Sequence, residues 1–379
     1  MTIRKCRVCN GRLFKEPLLV YREMPAISQF LPEKKDFAND RCIDLTICQC
    51  SKCGLIQLDN DPVYYFKDVI RSGSVSEEVK KFRTKQFQDF VDTYQLKDKK
   101  IVEIGCGRGE YLSIMNRTGA KAFGLEHRVE SVEECRTKGL STIQGFLYDP
   151  NQRIEHSPFD AFYICNFLEH IDEPSKLLQA IANNLTIDGI GIVEVPNTDR
   201  LLRDKTFYKF TLEHLLNFTQ ETLETSLGLN GFEVLSCKPI RQGSPLSAIV
   251  RKRKPLDFSN FHENQKQLLK EIDAFINKFG SEKIAIWGAG HYTFGILSVH
   301  SIENKVKYIL DSAPFKQGRY SPKTHIPIVP PETLNANPVK GVIVSAAGYS
   351  NEVTKILLNN YDSKIKVAVV RENHLEYMN

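Results

Sequence analysis

Long hydrophobic runs are missing from this chain. No stretch of its 379 residues approaches the roughly 20 uninterrupted apolar positions that a spanning helix needs. The opening, MTIRKCRVCN, has no apolar h-region of the kind that directs secretion. The expectation is a protein without membrane association, in the cytoplasm. An excess of one charge is missing too: 51 basic and 46 acidic residues leave +5, too slight and too dispersed for a nucleic-acid partner. The one basic run, RKRK at 251–254, reads as a solvated linker. Cysteine is scarce over most of the length, with ten residues in all and six of them within the first 53. What is present is a globular composition, 41% hydrophobic and 26% charged, in a chain long enough for two or three domains.

The crowded cysteines mark a distinct N-terminal segment. CRVC at 6–9 and CSKC at 50–53 are two Cys-x-x-Cys turns, each of which points both sulfurs toward one tetrahedral ion. Cys6, Cys9, Cys50 and Cys53 together make four thiolates, and Cys42 or Cys48 could substitute for one of them. Disulfides are disfavoured in a reducing compartment. The expectation is a structural Zn2+, because a site closed by four cysteines leaves no position open for water.

From about residue 76 the pattern turns helical, with Val79, Phe82, Phe87, Phe90 and Val91 near one face. A buried strand, KKIVEIGCG, leads into Gly105, Gly107 and Gly109, followed by a helix carrying Leu112, Ile114 and Met115. A second strand, KAFGLEH, ends in Glu126, and FDAFYICN and GIGIVEVP supply two more. Strands alternating with helices imply a parallel, doubly wound α/β sheet with its ligand at the carboxyl ends of the strands.

Glycines after a strand occur in flavin, nicotinamide and S-adenosylmethionine sites alike. Here Glu103 stands just before them and Glu126 follows on the next strand. This string resembles the first motif of the class I S-adenosylmethionine-dependent methyltransferases, as does the span from FDAFYICNFLEH to GIVEVPN. The resemblance implies that Glu103, Gly105, Gly107, Gly109, Glu126, His127 and Asn166 line the cofactor site, with Glu126 on the ribose hydroxyls.

The order of parts is more distinctive still. CRVCNGRL and CQCSKCGLIQL, then LEHLLNFTQETLETSLGLNGFEV, then YILDSAPFKQGRYSPKTHIPIVPPETL resemble three stretches of the sugar C-methyltransferases that act on nucleotide-linked 4-keto-deoxysugars. That family implies a zinc-binding module over 1–75, a Rossmann-like methyltransferase domain over 76–250, and a second Rossmann-like α/β domain over 255–379 that helps close over the sugar nucleotide. It implies His214 as general base, Glu213 as its orienting residue or a sugar contact, and His170 as an assistant. A monomer or weak homodimer is expected.

Departures from the family pattern matter as well. Its Tyr-His-Glu-His is TLEH here, with Thr211 at the tyrosine position, its His-Gly-Gly-Ser is RQGS at 241–244, and its early tyrosine-rich segment is represented by YYFKDVIRSGSVS at 64–76. O-methylation of a related sugar is therefore the alternative. In the last domain an apolar stripe of Phe258, Phe261, Leu268, Leu269, Ile272 and Ile276 reads as helical core. EKIAIWGAGHYTFGIL repeats the strand, glycine turn and helix with Gly288 and Gly290, and Asp311 ends the following strand. An NAD-dependent oxidoreductase or plain nucleotide-binding module is the competing reading of that turn.

Overall fold

A computed structural model of the chain describes residues 5–29, 31–65, 67, 75–280, 283–300 and 302–379. Most of the segment 64–76 lies outside the described residues. Two compact units result, Met1–Lys254 and Pro255–Asn379. Among the described residues no helix is long and apolar enough to cross a membrane.

The first unit begins with β1 (Leu19–Pro25), β2 (Cys42–Gln49) and β3 (Ile56–Leu58), an antiparallel meander that follows the cysteine turns. Helix α1 (Glu77–Thr93) starts at Ser76, whose hydroxyl accepts the Val79 amide, and buries Phe87, Phe90 and Val91 as its spacing predicts. Then come β4 (Lys100–Ile104), α2 (Glu110–Met115), β5 (Lys121–Glu126), α3 (Val129–Thr137), β6 (Thr142–Gln144), β7 (Phe159–Cys165), α4 (Pro174–Asn183) and β8 (Leu185–Val195). After α5 (Thr198–Asp204) and β9 (Leu216–Asn217), the unit closes with α6 (Gln220–Leu229), β10 (Phe232–Pro239) and β11 (Leu246–Lys252).

The large sheet has the order β10-β11-β8-β7-β4-β5-β6, with β8 through β6 parallel and the β10–β11 hairpin antiparallel at one edge. The chain winds away from β4 in both directions, so the order reverses between β4 and β7, where a doubly wound sheet opens its ligand crevice. The parallel strands are apolar almost throughout because helices cover both faces.

The small sheet has the order β1-β2-β3-β9, and its last strand comes from far along the chain. Ile56 pairs with Asn217 and Gln57 with Leu216, so the N-terminal segment is zipped to residues directly after His214. Buried Gln57 accepts the Arg7 amide, Ser175 at the start of α4 donates to the Val8 carbonyl, and Arg7 pairs with Asp172. The first cysteine turn is thus tied to the domain of the large sheet by side chains as well as strands.

The second unit opens with α7 (Ser259–Asn277), followed by β12 (Ile284–Trp287), α8 (His291–Val299), β13 (Val306–Leu310), β14 (Ile328–Val329), α9 (Thr333–Ala336), β15 (Gly341–Val344), α10 (Ser350–Asn360), β16 (Lys366–Val370) and β17 (Leu375–Tyr377). Its sheet has the order β14-β13-β12-β15-β16-β17, parallel except for β17. Ile272 and Ile276 of α7 are buried, but Phe258 and Phe261 are exposed and stack on each other at 4.7 Å. The apolar stripe predicted from spacing therefore overstates this helix's buried face. Spacing sets which side a residue occupies, and the first turn enters none of this unit's buried clusters.

Candidate active site

The two Cys-x-x-Cys turns meet. Cys6 and Cys53 bring their sulfurs to 3.6 Å and Cys9 and Cys50 to 3.5 Å, and all four lie within 4.8 Å of one another. Disulfide sulfurs would stand at about 2.05 Å, while sulfurs around a tetrahedral Zn2+ stand about 3.8 Å apart. The amide of Cys9 points at the sulfur of Cys6, and those of Lys52 and Cys53 at the sulfur of Cys50. Burial pushes the Cys6 thiol up to about 11; it also works against charge on Cys50, where the two amides prevail and bring the thiol down to about 7. This donor set fits a closed thiolate site. Cys48 is buried elsewhere and Cys42 is exposed, and neither joins the cluster.

The glycine loop leaves β4 at the crevice. Gly105, Gly107 and Gly109 all have left-handed φ, +74°, +55° and +81°. A Cβ on Gly105 would stand 2.9 Å from the Phe167 ring and one on Gly109 2.6 Å from a Leu140 methyl, and the left-handed φ strains any other residue at both. A Cβ on Gly107 would meet nothing within 4 Å, so this stretch of backbone faces open space. Such a bare, donor-bearing loop fits a ligand that approaches the main chain closely. Glu126, at the end of β5, belts the loop: one carboxylate oxygen accepts the Gly107 amide at 2.8 Å and the other the Arg128 amide at 2.9 Å. Burial raises its pKa, against the pull of those amides. A carboxylate has about four lone-pair sites, so these amides leave acceptor capacity for a further donor.

An open cleft of about 570 Å³ adjoins Glu126, lined by Tyr64, Tyr65, His127, Arg128, Val129, Glu130, Gln144 and Gly145. His127 packs edge-on against Phe146. Asn166 ends β7 in a left-handed conformation, φ +54°, with its side chain exposed, a strained position of the kind found at binding sites. Glu103 lies deeper: it is buried within β4 and accepts the Tyr163 hydroxyl at 2.9 Å.

His170 and His214 come together although 44 positions separate them, their rings in an edge-to-face contact at 4.9 Å. His170 ends a 3-10 turn, Leu168–His170, just beyond β7. Its Nδ1 lies 2.8 Å from the Glu213 carbonyl, which makes Nδ1–H the donor and leaves Nε2 with the lone pair. Burial pulls its pKa down to about 3, so the ring stays neutral. Burial lowers His214 as well, although this ring is the less enclosed of the two.

Glu213 does not serve His214 with its carboxylate. The same oxygen accepts the Tyr65 hydroxyl at 2.7 Å and the Ser28 amide at 2.9 Å, which fastens the N-terminal segment to this turn. Glu213 therefore orients His170 through its carbonyl. Thr211 accepts the His214 amide and closes the turn.

Three partners were not anticipated from spacing. Glu169, inside the FLEH string, is 1% exposed, and burial pushes its carboxyl up to about 8. Arg83 of α1 is equally buried and pairs at 2.5 Å with Glu194 of β8, which also takes hydrogen bonds from Gln86 and Ser247. Tyr65 belongs to the tyrosine-rich segment, whose register only the fold assigns. In the second unit, Asp311 caps the glycine turn itself: it accepts the amides of Ala289 and Ala313 and pairs with Lys316 at 2.8 Å.

Residues 76–237 match the family described as methyltransferase domain, and residues 251–369 the family described as C-methyltransferase C-terminal domain. The C-methyltransferase NovU of Streptomyces niveus is 21% identical over 385 residues, covering 93% of this chain and 91% of that protein. A ubiquinone biosynthesis O-methyltransferase of Actinobacillus pleuropneumoniae is 32% identical over 103 residues, 24% of this chain and 43% of its own length. Among solved structures, an S-adenosylmethionine-dependent methyltransferase from Clostridium acetobutylicum aligns with 46% of this chain and 92% of its own at 13% identity and a TM-score of 0.39. With a methyltransferase domain, a C-methyltransferase C-terminal domain and a C-methyltransferase relative that spans nearly the whole length, the chain is an S-adenosylmethionine-dependent methyltransferase with the domain pairing of the C-methyltransferases it resembles.

Proposed function

We propose that this enzyme methylates a carbon next to the keto group of a nucleotide-linked deoxysugar, through an enolate, with His214 as the general base. The observation that carries the reading is the His170–His214 pair at the crevice: one imidazole locked by the Glu213 carbonyl, the other neutral and more open.

The cofactor supplies an activated methyl group when bound, so the chain must position the acceptor and remove its proton. Gly105, Gly107 and Gly109 would receive the methionine part and Glu126 the ribose diol, with His127 and Asn166 at the rim. The neutral His214 ring has a lone pair for the acidic hydrogen beside the ketone. His170 holds its partner in edge contact and excludes water. Glu103 supports the floor through Tyr163, and the four cysteines, holding a structural Zn2+, would keep Tyr65 and Ser28 on Glu213.

O-methylation of a sugar is the second reading, favoured by one observation: Thr211 offers no phenol to stabilise an enolate. Deuterium separates the two. Carbon methylation through an enolate exchanges the hydrogen beside the ketone with solvent, and His214→Asn abolishes that exchange while the cofactor still binds. A methyl found on oxygen without any exchange overturns the carbon assignment. A full rate in His214→Asn overturns the base.

A further inference from the structure

We propose that Glu169, His170 and His214 form a second metal site, separate from the cysteine cluster, that takes a divalent transition cation such as Co2+ or Zn2+ and thereby stops the reaction. One ligand atom from each residue lies within 4.8 Å of the other two. The Glu169 carboxylate is 3.8 Å from Nε2 of His170. Ligand atoms around a tetrahedral ion with 2.0–2.1 Å bonds stand about 3.4 Å apart, so the set lies within an ångström or two of coordination spacing.

A second observation points to a ligand independently of this clustering. Oε2 of Glu169 is buried and has no hydrogen-bond partner among the described residues. An enclosed carboxyl oxygen without a partner is unfavourable, and a cation is a partner that would satisfy it. His170 is preset in the way metal-binding imidazoles are, its Nδ1 on a backbone carbonyl and its Nε2 free to ligate.

Two imidazoles and one carboxylate, with no thiolate, suit Zn2+, Co2+ or Ni2+ in preference to Mg2+. Three protein ligands leave one coordination position for water. The inhibitory part of the proposal rests on the reading of His214 as base: a lone pair donated to a metal cannot accept a proton.

The test uses the full-length protein with its cysteine site saturated with Zn2+, titrated with CoCl2 by calorimetry and visible absorption. One further Co2+ per chain is expected, with ligand-field bands but no thiolate charge-transfer band. Glu169→Gln weakens that binding by roughly 10-fold or more. His214→Gln, at the more open ring, does the same and keeps the test sound should the buried variant misfold. Added ZnCl2 slows methyl transfer by wild type, and Glu169→Gln, measured against its own uninhibited rate, resists it. Absence of a second ion, a thiolate signature, or unchanged affinity in both variants overturns the site. If Co2+ binds as described but His214→Asn methylates at full rate, the base reading and the inhibition fall while the site stands; if His214→Asn loses exchange but no second ion binds, only the site falls.

Discussion

Replacing Glu126 by Ala should weaken S-adenosylmethionine binding by two separable routes. The carboxylate is 7% exposed and accepts the Gly107 and Arg128 amides at 2.8 and 2.9 Å, so it shapes the loop before any ligand arrives. In the proposed site its remaining acceptor capacity would take the ribose diol. Hydrogen bonds to a charged group contribute about 1.5–3 kcal/mol each. The two released amides face the cleft and recover part of their loss from water, so a net loss of about 2–4 kcal/mol is expected, or roughly 30- to 1000-fold in Kd. Titration calorimetry with S-adenosylmethionine reads this directly. Glu126→Gln separates the routes, because its amide oxygen satisfies one backbone N–H while its NH2 opposes the other. It should fall between wild type and Ala in affinity and lose melting temperature. Unchanged affinity in Glu126→Ala would refute both the loop-belting and the ribose role.

The remaining expectations follow from packing and chemistry. Arg83→Met strands the buried Glu194 charge and should destabilise by about 3–5 kcal/mol, with Arg83→Met/Glu194→Gln recovering part of it in denaturant titrations. Gly109→Ala forces a Cβ to 2.6 Å from Leu140 at φ +81°; it should cost about 2–4 kcal/mol from strain and overpacking together and lower cofactor affinity. The protein should carry about one tightly held zinc per chain by metal analysis. Its removal by chelation, or Cys6→Ser or Cys53→Ser, should lower the melting temperature while leaving any folded fraction able to bind cofactor; a folded, active, zinc-free sample would contradict this.

Much of the candidate site's local geometry was legible along the chain because neighbouring positions set it. A strand, three glycines and the next strand's acidic end are set by neighbouring positions, since apolar runs, left-handed turns and strand ends depend on adjacent residues. The paired Cys-x-x-Cys turns were equally legible, each turn presenting its own two sulfurs. Periodicity misled at Phe258 and Phe261, which share the helical spacing of the core stripe but remain exposed. It also missed Arg83, a charged residue on the buried face of α1, because no pattern within the helix announces a Glu194 about 110 positions away.

The sequence by itself determined the class of the sheet, the place of the glycine loop and the presence of a thiolate cluster, each of which rests on interactions within a few tens of residues. Tertiary structure alone decided that β9 pairs with β3, that Glu213 answers to Tyr65 and Ser28 instead of to His214, and that Oε2 of Glu169 is sealed without a hydrogen-bond partner beside two imidazoles. Those relations join segments 40 to 185 positions apart. Which side chains meet there depends on how the packed elements fill space, and that is a property of the whole core.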